Sequence, residues 1–203
     1  MTAPTRHAIV GAGNIGSALA GLFAHAGIEV SIANTRGPDS LAPLTASLGS
    51  GVRAVPVARA LESDVIFLAI PFLAVERFGR SLPDWTGKTV VDTTNAYYAP
   101  GSAEVLRGRL STHHTAAQLP GADVVKAFNH LTAGILAAPV DPAVGRRVIF
   151  IATDAPKAGE LIAELAGDLG LAAVQLGRID EGGRLIQAPN ALVLRNLIER
   201  PLF

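Results

Sequence analysis

The chain has 203 residues, of which 49% are hydrophobic and 17% charged, and its 17 basic residues balance its 17 acidic ones. That composition is typical of a folded globular protein and excludes an intrinsically disordered chain. Without a basic excess, we expect neither nucleic acid nor an anionic membrane as a partner. The absence of cysteine excludes disulfides and thiolate metal sites. There is no signal-peptide pattern and no apolar run of about 18 residues, so we expect a cytoplasmic protein without a membrane span.

Short apolar segments alternate along the chain with segments of helical periodicity. We predict strands at residues 6–10, 28–33, 52–55, 64–70, 88–92, 123–128, 147–152 and 172–176. Helices are predicted at residues 14–26, 38–48 and 56–61, from the Thr-Asp-Ala-Pro start at 153–156, and at 183–200. The alternation predicts the α/β class: a Rossmann-type doubly wound, mainly parallel sheet with a short C-terminal strand–helix extension. We expect one domain over residues 1–203, with the helical extension from about residue 180.

The first strand leads into the glycine-rich turn Gly-Ala-Gly-Asn-Ile-Gly, which opens an amphipathic helix. In this context the motif predicts a dinucleotide-binding turn, against the alternative of a turn needed only for packing. Gly11 permits the tight turn, Gly13 lets the backbone approach a pyrophosphate, and Gly16 lets helix and strand pack closely. The backbone N–H groups at the helix start, including those of Asn14 and Ile15, are expected to point at the phosphates.

The end of the second predicted strand indicates which dinucleotide binds. NAD-binding folds usually carry a carboxylate there for the ribose 2′-hydroxyl, whereas this chain has Asn34, Thr35 and Arg36. A hydroxyl and a guanidinium can hold a 2′-phosphate, and no carboxylate repels it. We therefore predict NADP(H) as the cofactor. The alternative is that Arg36 is an ordinary solvated charge.

Four segments together resemble a known family. They are Gly-Ala-Gly-Asn-Ile-Gly at 11–16, Asn-Thr-Arg at 34–36, Val-Val-Asp-Thr-Thr-Asn at 90–95 and Val-Val-Lys-Ala-Phe-Asn at 124–129. The chain resembles the NADP-dependent reductases of the 8-hydroxy-5-deazaflavin coenzyme, and it is similar also to the cytosolic oxidoreductase domain of the six-transmembrane metalloreductases. The resemblance covers nearly all of the chain except residues 97–120.

The resemblance implies an oxidoreductase that transfers hydride directly between NADPH and a flavin or deazaflavin acceptor. It implies that Ala69, Ile70 and Pro71 pass beneath the cofactor and that Asn95 meets the nicotinamide. The implied contacts to the second substrate are Asn95, Phe128, Asn129 and His130. Hydride transfer between stacked rings needs orientation more than an acid or a base, so we name no catalytic side chain.

Several side chains have two interpretations. His130 is a candidate general acid, but we favour capping or packing because the hydride step needs no proton donor. The pair His113 and His114 is interpreted as a solvated loop, and we expect no metal ligands. Whether Lys126, in a predicted strand, reaches the site stays open. Three aromatic residues also stay open, because each could either lie beneath a flavin ring or pack in the core: Trp85, Tyr97 and Tyr98.

Two other function classes share these features. Imine and hydroxy-acid reductases have the same N-terminal fold but carry a large helical substrate domain, for which too few residues follow residue 152. A non-catalytic NADP(H)-binding sensor or partner-binding protein would show the same lack of an acid–base residue. Because the predicted helix 183–200 is apolar around too much of its circumference for one buried stripe, we also predict a homodimer.

Overall fold

The computed structural model describes residues 5–97 and 99–200 of the chain. Its strands are β1 (His7–Val10), β2 (Val30–Ala33), β3 (Val52–Ala54), β4 (Val65–Leu68), β5 (Thr89–Asp92), β6 (Asp123–Ala127), β7 (Arg146–Thr153), β8 (Ala172–Gln175) and β9 (Ile198–Glu199). Each strand predicted from the sequence is present, with ends shifted by at most three residues. Tyr98, one of the aromatic candidates, lies outside the described residues.

The helices between these strands are mostly short. They are α1 (Asn14–Ala26), α2 (Ala42–Leu48), α3 (Val57–Ala60), α4 (Val75–Gly79), α5 (Ser102–Leu106), α6 (Ser111–Ala117), α7 (Ala133–Ala137), α8 (Pro156–Asp168) and α9 (Gly183–Ile186), with 3₁₀ turns at Pro38–Leu41 and Phe72–Ala74. Gly27 ends α1 in the left-handed conformation at φ 69°, as predicted. Among the described residues, no helix is long and apolar enough to cross a bilayer.

The strands form one sheet in the order β3-β2-β1-β4-β5-β6-β7-β8, and β9 pairs with β7. The pairs from β3 to β6 are parallel, whereas β7 is antiparallel to β6. The strand order reverses between β1 and β4, which is the switch point where doubly wound sheets bind nucleotides. The predicted fold class, a Rossmann-type and mainly parallel sheet, is therefore confirmed.

Two buried clusters cover the two faces of the sheet. On one face Phe67 of β4 lies between Phe23 of α1 and Phe128, with ring centroids 5.5 and 5.6 Å apart. On the other face Trp85 is fully buried against Phe78, and its indole N–H donates to the carbonyl of Gly79 at 3.0 Å. Trp85 is thus a core residue rather than the floor of a flavin site.

The predicted C-terminal helix at 183–200 is wrong. α9 ends at Ile186, and the chain turns to an extended conformation at Gln187. Pro189 lacks the N–H that a helix would require and its ring clashes with the preceding turn, so the apolar residues beyond it do not continue the helix. The segment instead crosses the end of β7, where the N–H of Val148 donates to the carbonyl of Leu197 at 2.9 Å.

Residues 97–120 contain two helices that the sequence did not indicate. α6 buries polar side chains rather than an apolar stripe, namely those of Ser111, Thr112, His114 and Thr115. The pattern of apolar residues every three or four positions is therefore missing, although the segment is helical. The expected solvated loop at His113 and His114 is also wrong, because both residues belong to α6 and His114 is buried.

Candidate functional site

The three glycines of the glycine-rich turn have different steric surroundings. Gly11 has φ +105°, and a Cβ on it would lie 2.1 Å from the carbonyl oxygen of Ala69. A Cβ on Gly16 would lie 1.9 Å from the carbonyl oxygen of Gly11. Gly13 has an ordinary φ of −79°, and a Cβ there would meet no atom of the described residues within 4 Å. Neither the backbone nor protein packing requires glycine at 13, so the open space above it is the feature that fits an approaching ligand.

The N-terminus of α1 faces this open space with unused hydrogen-bond donors. Its N-cap residue is Gly13, which has no side chain to cap the helix, and the first turn carries no acidic residue. The first backbone N–H groups of a helix, here those of Asn14 and Ile15, have no partner within the helix. Together with the helix dipole they form a site that suits an anion such as a pyrophosphate.

The loop after β2 has an ordered backbone and exposed side chains. Asn34 Oδ1 accepts a hydrogen bond from the N–H of Arg36 at 2.9 Å, and Asn34 Nδ2 donates to Ser40 Oγ at 3.0 Å. The side chains of Thr35 and Arg36 are exposed. Among the described residues, the Arg36 guanidinium has no hydrogen-bond or ion-pair partner. Asn34 thus shapes the loop, while Thr35 and Arg36 remain available to a phosphate.

The predicted residues after β4 lie against the glycine-rich turn. The N–H of Ala69 donates to the carbonyl of Val10 at 2.8 Å, which fixes the end of β4 beside the end of β1. Ile70 is half-buried and Pro71 is exposed. The carboxyl ends of the parallel strands β1, β2 and β4 lie on the same side of the sheet, which we call its carboxyl edge. The structure therefore brings together the three segments predicted to bind the dinucleotide.

The ends of β5 and β6 meet through two asparagines. Asn95 Nδ2 donates to the carbonyl of Asn129 at 2.8 Å, and Asn129 Nδ2 donates to Asn95 Oδ1 at 3.1 Å. Asn129 Nδ2 also donates to the carbonyl of Ile186 at 2.6 Å, which ties the C-terminal segment to this edge. Asn95 is half-buried and Asn129 is almost fully buried. Asn95 is therefore the one of the two that reaches the surface of the edge.

Two of the predicted ring contacts have covered side chains. Phe128 adopts φ 58° and points its ring into the core against Phe67. His130 is fully buried, and its ring packs on Phe150 with centroids 4.9 Å apart. Neither nitrogen of the His130 ring has a hydrogen-bond partner in the described part of the chain. Burial lowers the pKa of His130 to about 4, and the nearby backbone of Val148 opposes the shift only in part.

A neutral, buried His130 fits the packing interpretation better than the general acid. At neutral pH its imidazole ring is not protonated, so it lacks the extra proton that a general acid would donate. Its carbonyl accepts a hydrogen bond from the N–H of Leu194 at 2.6 Å, so its backbone anchors the C-terminal segment. The binding roles of Phe128 and His130 stay predictions, and both residues are fully buried in this structure.

The sequence reasoning missed a buried ion pair beneath the asparagines. Lys126 Nζ lies 3.3 Å from Asp92 Oδ2, with both side chains at most 1% exposed. Burial lowers the pKa of Lys126, and the carboxylate of Asp92 opposes that shift. The sequence carried only a weak signal, a lysine inside an apolar strand and an aspartate ending the strand before it. The structure pairs these two positions in the parallel ladder of β5 and β6.

The adjacent histidines of α6 face different surroundings. His114 Nδ1 is buried and has no hydrogen-bond partner among residues 5–97 and 99–200, and the ring lies 5.3 Å from that of Phe72, which follows Pro71. His113 Nε2 lies 3.5 Å from Asp154 Oδ2. Within residues 5–97 and 99–200, no three His, Asp or Glu side chains are grouped to hold a metal ion.

A wide depression of about 590 Å³ lies at the opposite, amino edge of the sheet. Its charged lining is largely paired with itself, because Arg53 bonds to Glu29 at 2.7 Å and Arg59 bonds to Glu62. Ligands of open α/β sheets bind outside the carboxyl ends of the strands instead. We therefore place the candidate site at the carboxyl edge.

The residues at the carboxyl edge fit NADP(H). The open space at Gly13, the uncapped start of α1 and the exposed Arg36 match a pyrophosphate and a 2′-phosphate in charge and in hydrogen-bonding capacity. The neighbouring Asn95 carries a neutral amide at the same edge. The edge therefore has the charge and the hydrogen-bonding groups that a dinucleotide requires.

A known family and several solved structures are similar to this chain. A family model described as "NADP oxidoreductase coenzyme F420-dependent" matches residues 6–96, which span the glycine-rich turn, the loop after β2 and Asn95. No match was found among curated proteins.

Similar solved structures cover most of the chain. A hypothetical protein from Sinorhizobium meliloti is 42% identical, with 97% of each chain covered and a TM-score of 0.91. A protein of Arthrobacter sp. FB24, assigned as an F420-dependent NADP reductase, is 20% identical, with 97% of this chain and 100% of that chain covered and a TM-score of 0.70. A reductive aminase from Aspergillus terreus is 22% identical, with 90% of this chain but 57% of that chain covered and a TM-score of 0.59.

The last two similarities show the fold alone, because their sequence identity is low. The Sinorhizobium protein is similar over 97% of each chain, but its name states no activity. Residues 6–96 of this chain match the family described as NADP oxidoreductase, coenzyme F420-dependent, which is a family of NADP-dependent oxidoreductases.

Proposed function

We propose that this protein transfers a hydride between NADPH and a flavin or 8-hydroxy-5-deazaflavin acceptor at the carboxyl ends of β5 and β6. The observation that carries the proposal is the chemistry of the side chains predicted to meet the rings. Asn95 and Asn129 are neutral amides bonded to each other, and His130 is buried and neutral. Such a site orients two rings but delivers no proton, which suits direct hydride transfer.

The same edge supplies the contacts for the nucleotide. The N–H groups of Asn14 and Ile15 bind the pyrophosphate at the start of α1, and Gly13 leaves the space that the pyrophosphate occupies. Thr35 and Arg36 bind the 2′-phosphate and thereby select NADPH over NADH. When bound, NADPH supplies a hydride from its nicotinamide ring.

Residues of β4, β5 and β6 orient the reacting ring. Ala69, Ile70 and Pro71 pass beneath it, and Asn95 contacts its edge. Asn129 acts through Asn95, because its own amide is covered and bonds to Asn95 Oδ1 and to the carbonyl of Ile186. The covering of this edge by the C-terminal segment keeps water from the buried side of the site.

The test is a comparison of acceptors under anaerobic conditions. The protein is mixed with NADPH and, separately, with an 8-hydroxy-5-deazaflavin, with FMN and with a cyclic imine. We expect one of the two flavin-type acceptors to be reduced and the imine to remain unchanged. Faster reduction of the imine would overturn the proposed acceptor class. NADPH binding without any turnover would favour a sensor.

We also propose a homodimer, on a different basis from the helix that the structure does not contain. The C-terminal segment exposes Leu185, Leu194 and Leu197 by 43%, 57% and 46%. Neighbouring exposed leucines on one segment are typical of an interface. A second copy of this chain is the partner that we propose for them.

A further inference from the structure

The buried pair of Asp92 and Lys126 bonds to one particular residue, Thr94. Asp92 Oδ1 accepts from the N–H of Thr94 at 2.9 Å and from its hydroxyl at 2.7 Å. Lys126 Nζ donates to the carbonyl of Thr94 at 2.5 Å. The pair therefore binds the backbone N–H, the backbone carbonyl and the side chain of the residue that precedes Asn95.

The turn that contains Thr94 is held on its other side as well. The hydroxyl of Thr93 donates to the carbonyl of Leu68 at 3.0 Å, which ties the turn to the end of β4. On its far side, Asn95 Nδ2 donates to the carbonyl of Asn129. The three residues after β5 thus form a rigid bridge from β4 to β6, and the ion pair lies directly beneath it.

Stability alone is a weak reason for such a pair. Removing two charges from water costs more than their attraction returns in many buried pairs, and apolar replacements of similar volume are often as stable. A buried pair that also bonds to three polar groups of one residue instead fixes a single conformation of that residue. Here the residue fixed is the neighbour of Asn95.

We propose that Asp92 and Lys126 are positioning residues that fix the Asn95 amide for hydride transfer by holding Thr94. This inference rests on the proposed function, which places the nicotinamide beside Asn95. Neither Asp92 nor Lys126 reaches the surface of the site, because their side chains are 0% and 1% exposed. They act through Thr94 and not by contact with the cofactor.

The first test compares Lys126→Met with Lys88→Met. Lys88 is a matched control, because its Nζ also donates to a carbonyl, that of Ser63, at 3.1 Å, but at the amino edge of the sheet. We expect Lys126→Met to lower the single-turnover rate of hydride transfer by about 10- to 100-fold, since misplacement by about 1 Å can cost that much. NADPH affinity should change by less than about threefold, because phosphate contacts supply the charge-assisted bonds. Lys88→Met should change neither.

A second variant separates positioning from folding. Lys126→Met leaves the carboxylate of Asp92 unpaired, so the melting temperature of the variant protein should fall by about 10 °C. The double variant Asp92→Asn/Lys126→Met removes both charges of the pair and should recover most of that loss. It still lacks the bond to the Thr94 carbonyl, so we expect its hydride-transfer rate to stay low. Recovery of the rate together with the melting temperature would show a merely structural role and overturn the inference.

A readout without turnover keeps this inference apart from the proposed function. In NMR spectra of the wild-type protein, the Asn95 side-chain amide should exchange slowly with solvent because it is hydrogen-bonded. We expect exchange to quicken by about tenfold or more in Lys126→Met and not in Lys88→Met. An unchanged Asn95 amide in Lys126→Met would overturn the inference. A wild-type protein that reduces no flavin-type acceptor would contradict the proposed function instead.

Discussion

The side-chain amides of Asn95 and Asn129 hydrogen-bond to each other across the ends of β5 and β6, with Asn129 Nδ2 donating to Asn95 Oδ1 at 3.1 Å. Two neighbouring strands are thereby joined by groups that carry no charge and do not ionise at neutral pH. At the carboxyl ends of the strands, where open α/β sheets bind their ligands, such a joint offers a fixed and neutral surface for a ring. This relationship underlies the proposed hydride transfer.

Arg36 is predicted to select NADPH through its 2′-phosphate. Removing a charge-assisted contact costs about 1.5–3 kcal/mol, so Arg36→Ala should weaken NADPH binding by roughly tenfold or more. NADH binding should hardly change. Arg53→Ala is the control, because it removes an exposed arginine that is paired with Glu29. Fluorescence titration of both cofactors measures the effect, and equal losses for NADPH and NADH in Arg36→Ala would contradict it.

Substitutions at Gly13 and Gly16 are predicted to have different effects, one on NADPH binding and the other on stability. Gly13→Leu should abolish NADPH binding but leave the melting temperature of the free protein nearly unchanged, because a Cβ there meets nothing within 4 Å. Gly16→Ala should cost about 1–3 kcal/mol of stability, because its Cβ would lie 1.9 Å from the Gly11 carbonyl oxygen. Thermal unfolding with and without NADPH distinguishes the two. Intact NADPH binding in Gly13→Leu would show that no ligand occupies that space.

The buried His130 predicts a loss of stability at mildly acidic pH. Its pKa is about 4 in the folded protein and about 6.5 when unfolded, so the unfolded chain binds a proton first as the pH falls. The stability contributed by neutral His130 is complete above pH 6.5 and is lost progressively as the pH falls towards 4. The difference corresponds to about 3 kcal/mol.

The variant His130→Phe tests this prediction. Burial also lowers the pKa values of His7 and His114, so the wild-type protein loses stability through several groups. Chemical unfolding of both proteins between pH 7 and pH 4 isolates the contribution of His130. The variant should lose less stability than the wild type over this range. Parallel curves would mean that His130 is not held neutral.

The oligomeric state is a separate prediction. Light scattering at micromolar concentration should give about twice the chain mass of 20.9 kDa. Leu194→Glu, at an exposed position of the C-terminal segment, should shift the mass towards that of the monomer because a charge would be buried in the interface. Glu104→Gln on α5 is an exposed control. A wild-type mass near 21 kDa would exclude the dimer.

The sheet and the glycine-rich turn could be predicted because local patterns determine them. Buried parallel strands are short apolar runs, and the tight turn at Gly11 requires glycines at fixed positions. The helix at 183–200 is mispredicted because the chain beyond Pro189 forms turns and then pairs with β7 through Leu197 and β9. The spacing of its apolar residues does not distinguish this arrangement from a helix face. α6 was missed because it buries polar side chains such as Thr112 and His114.

Tertiary contacts decided the remaining parts of the candidate site. The position of Phe128 in the sequence suggested a ring contact, but its φ of 58° turns the side chain into the core. Lys126 was left open in the sequence because a lysine in a strand can face either a site or a partner. Only the register of β5 and β6 shows that it faces Asp92.

The most direct test of direct hydride transfer follows the label from NADPH carrying deuterium at the reactive C4 position. The wild-type protein is mixed anaerobically with this NADPH and an oxidised 8-hydroxy-5-deazaflavin in a stopped-flow instrument, and the products are analysed by mass spectrometry. We predict that the deuterium appears on the reduced deazaflavin, and that His130→Ala slows the single-turnover rate by less than about tenfold. Loss of the label to water, or a thousandfold lower rate in His130→Ala with NADPH affinity intact, would contradict hydride transfer between stacked rings.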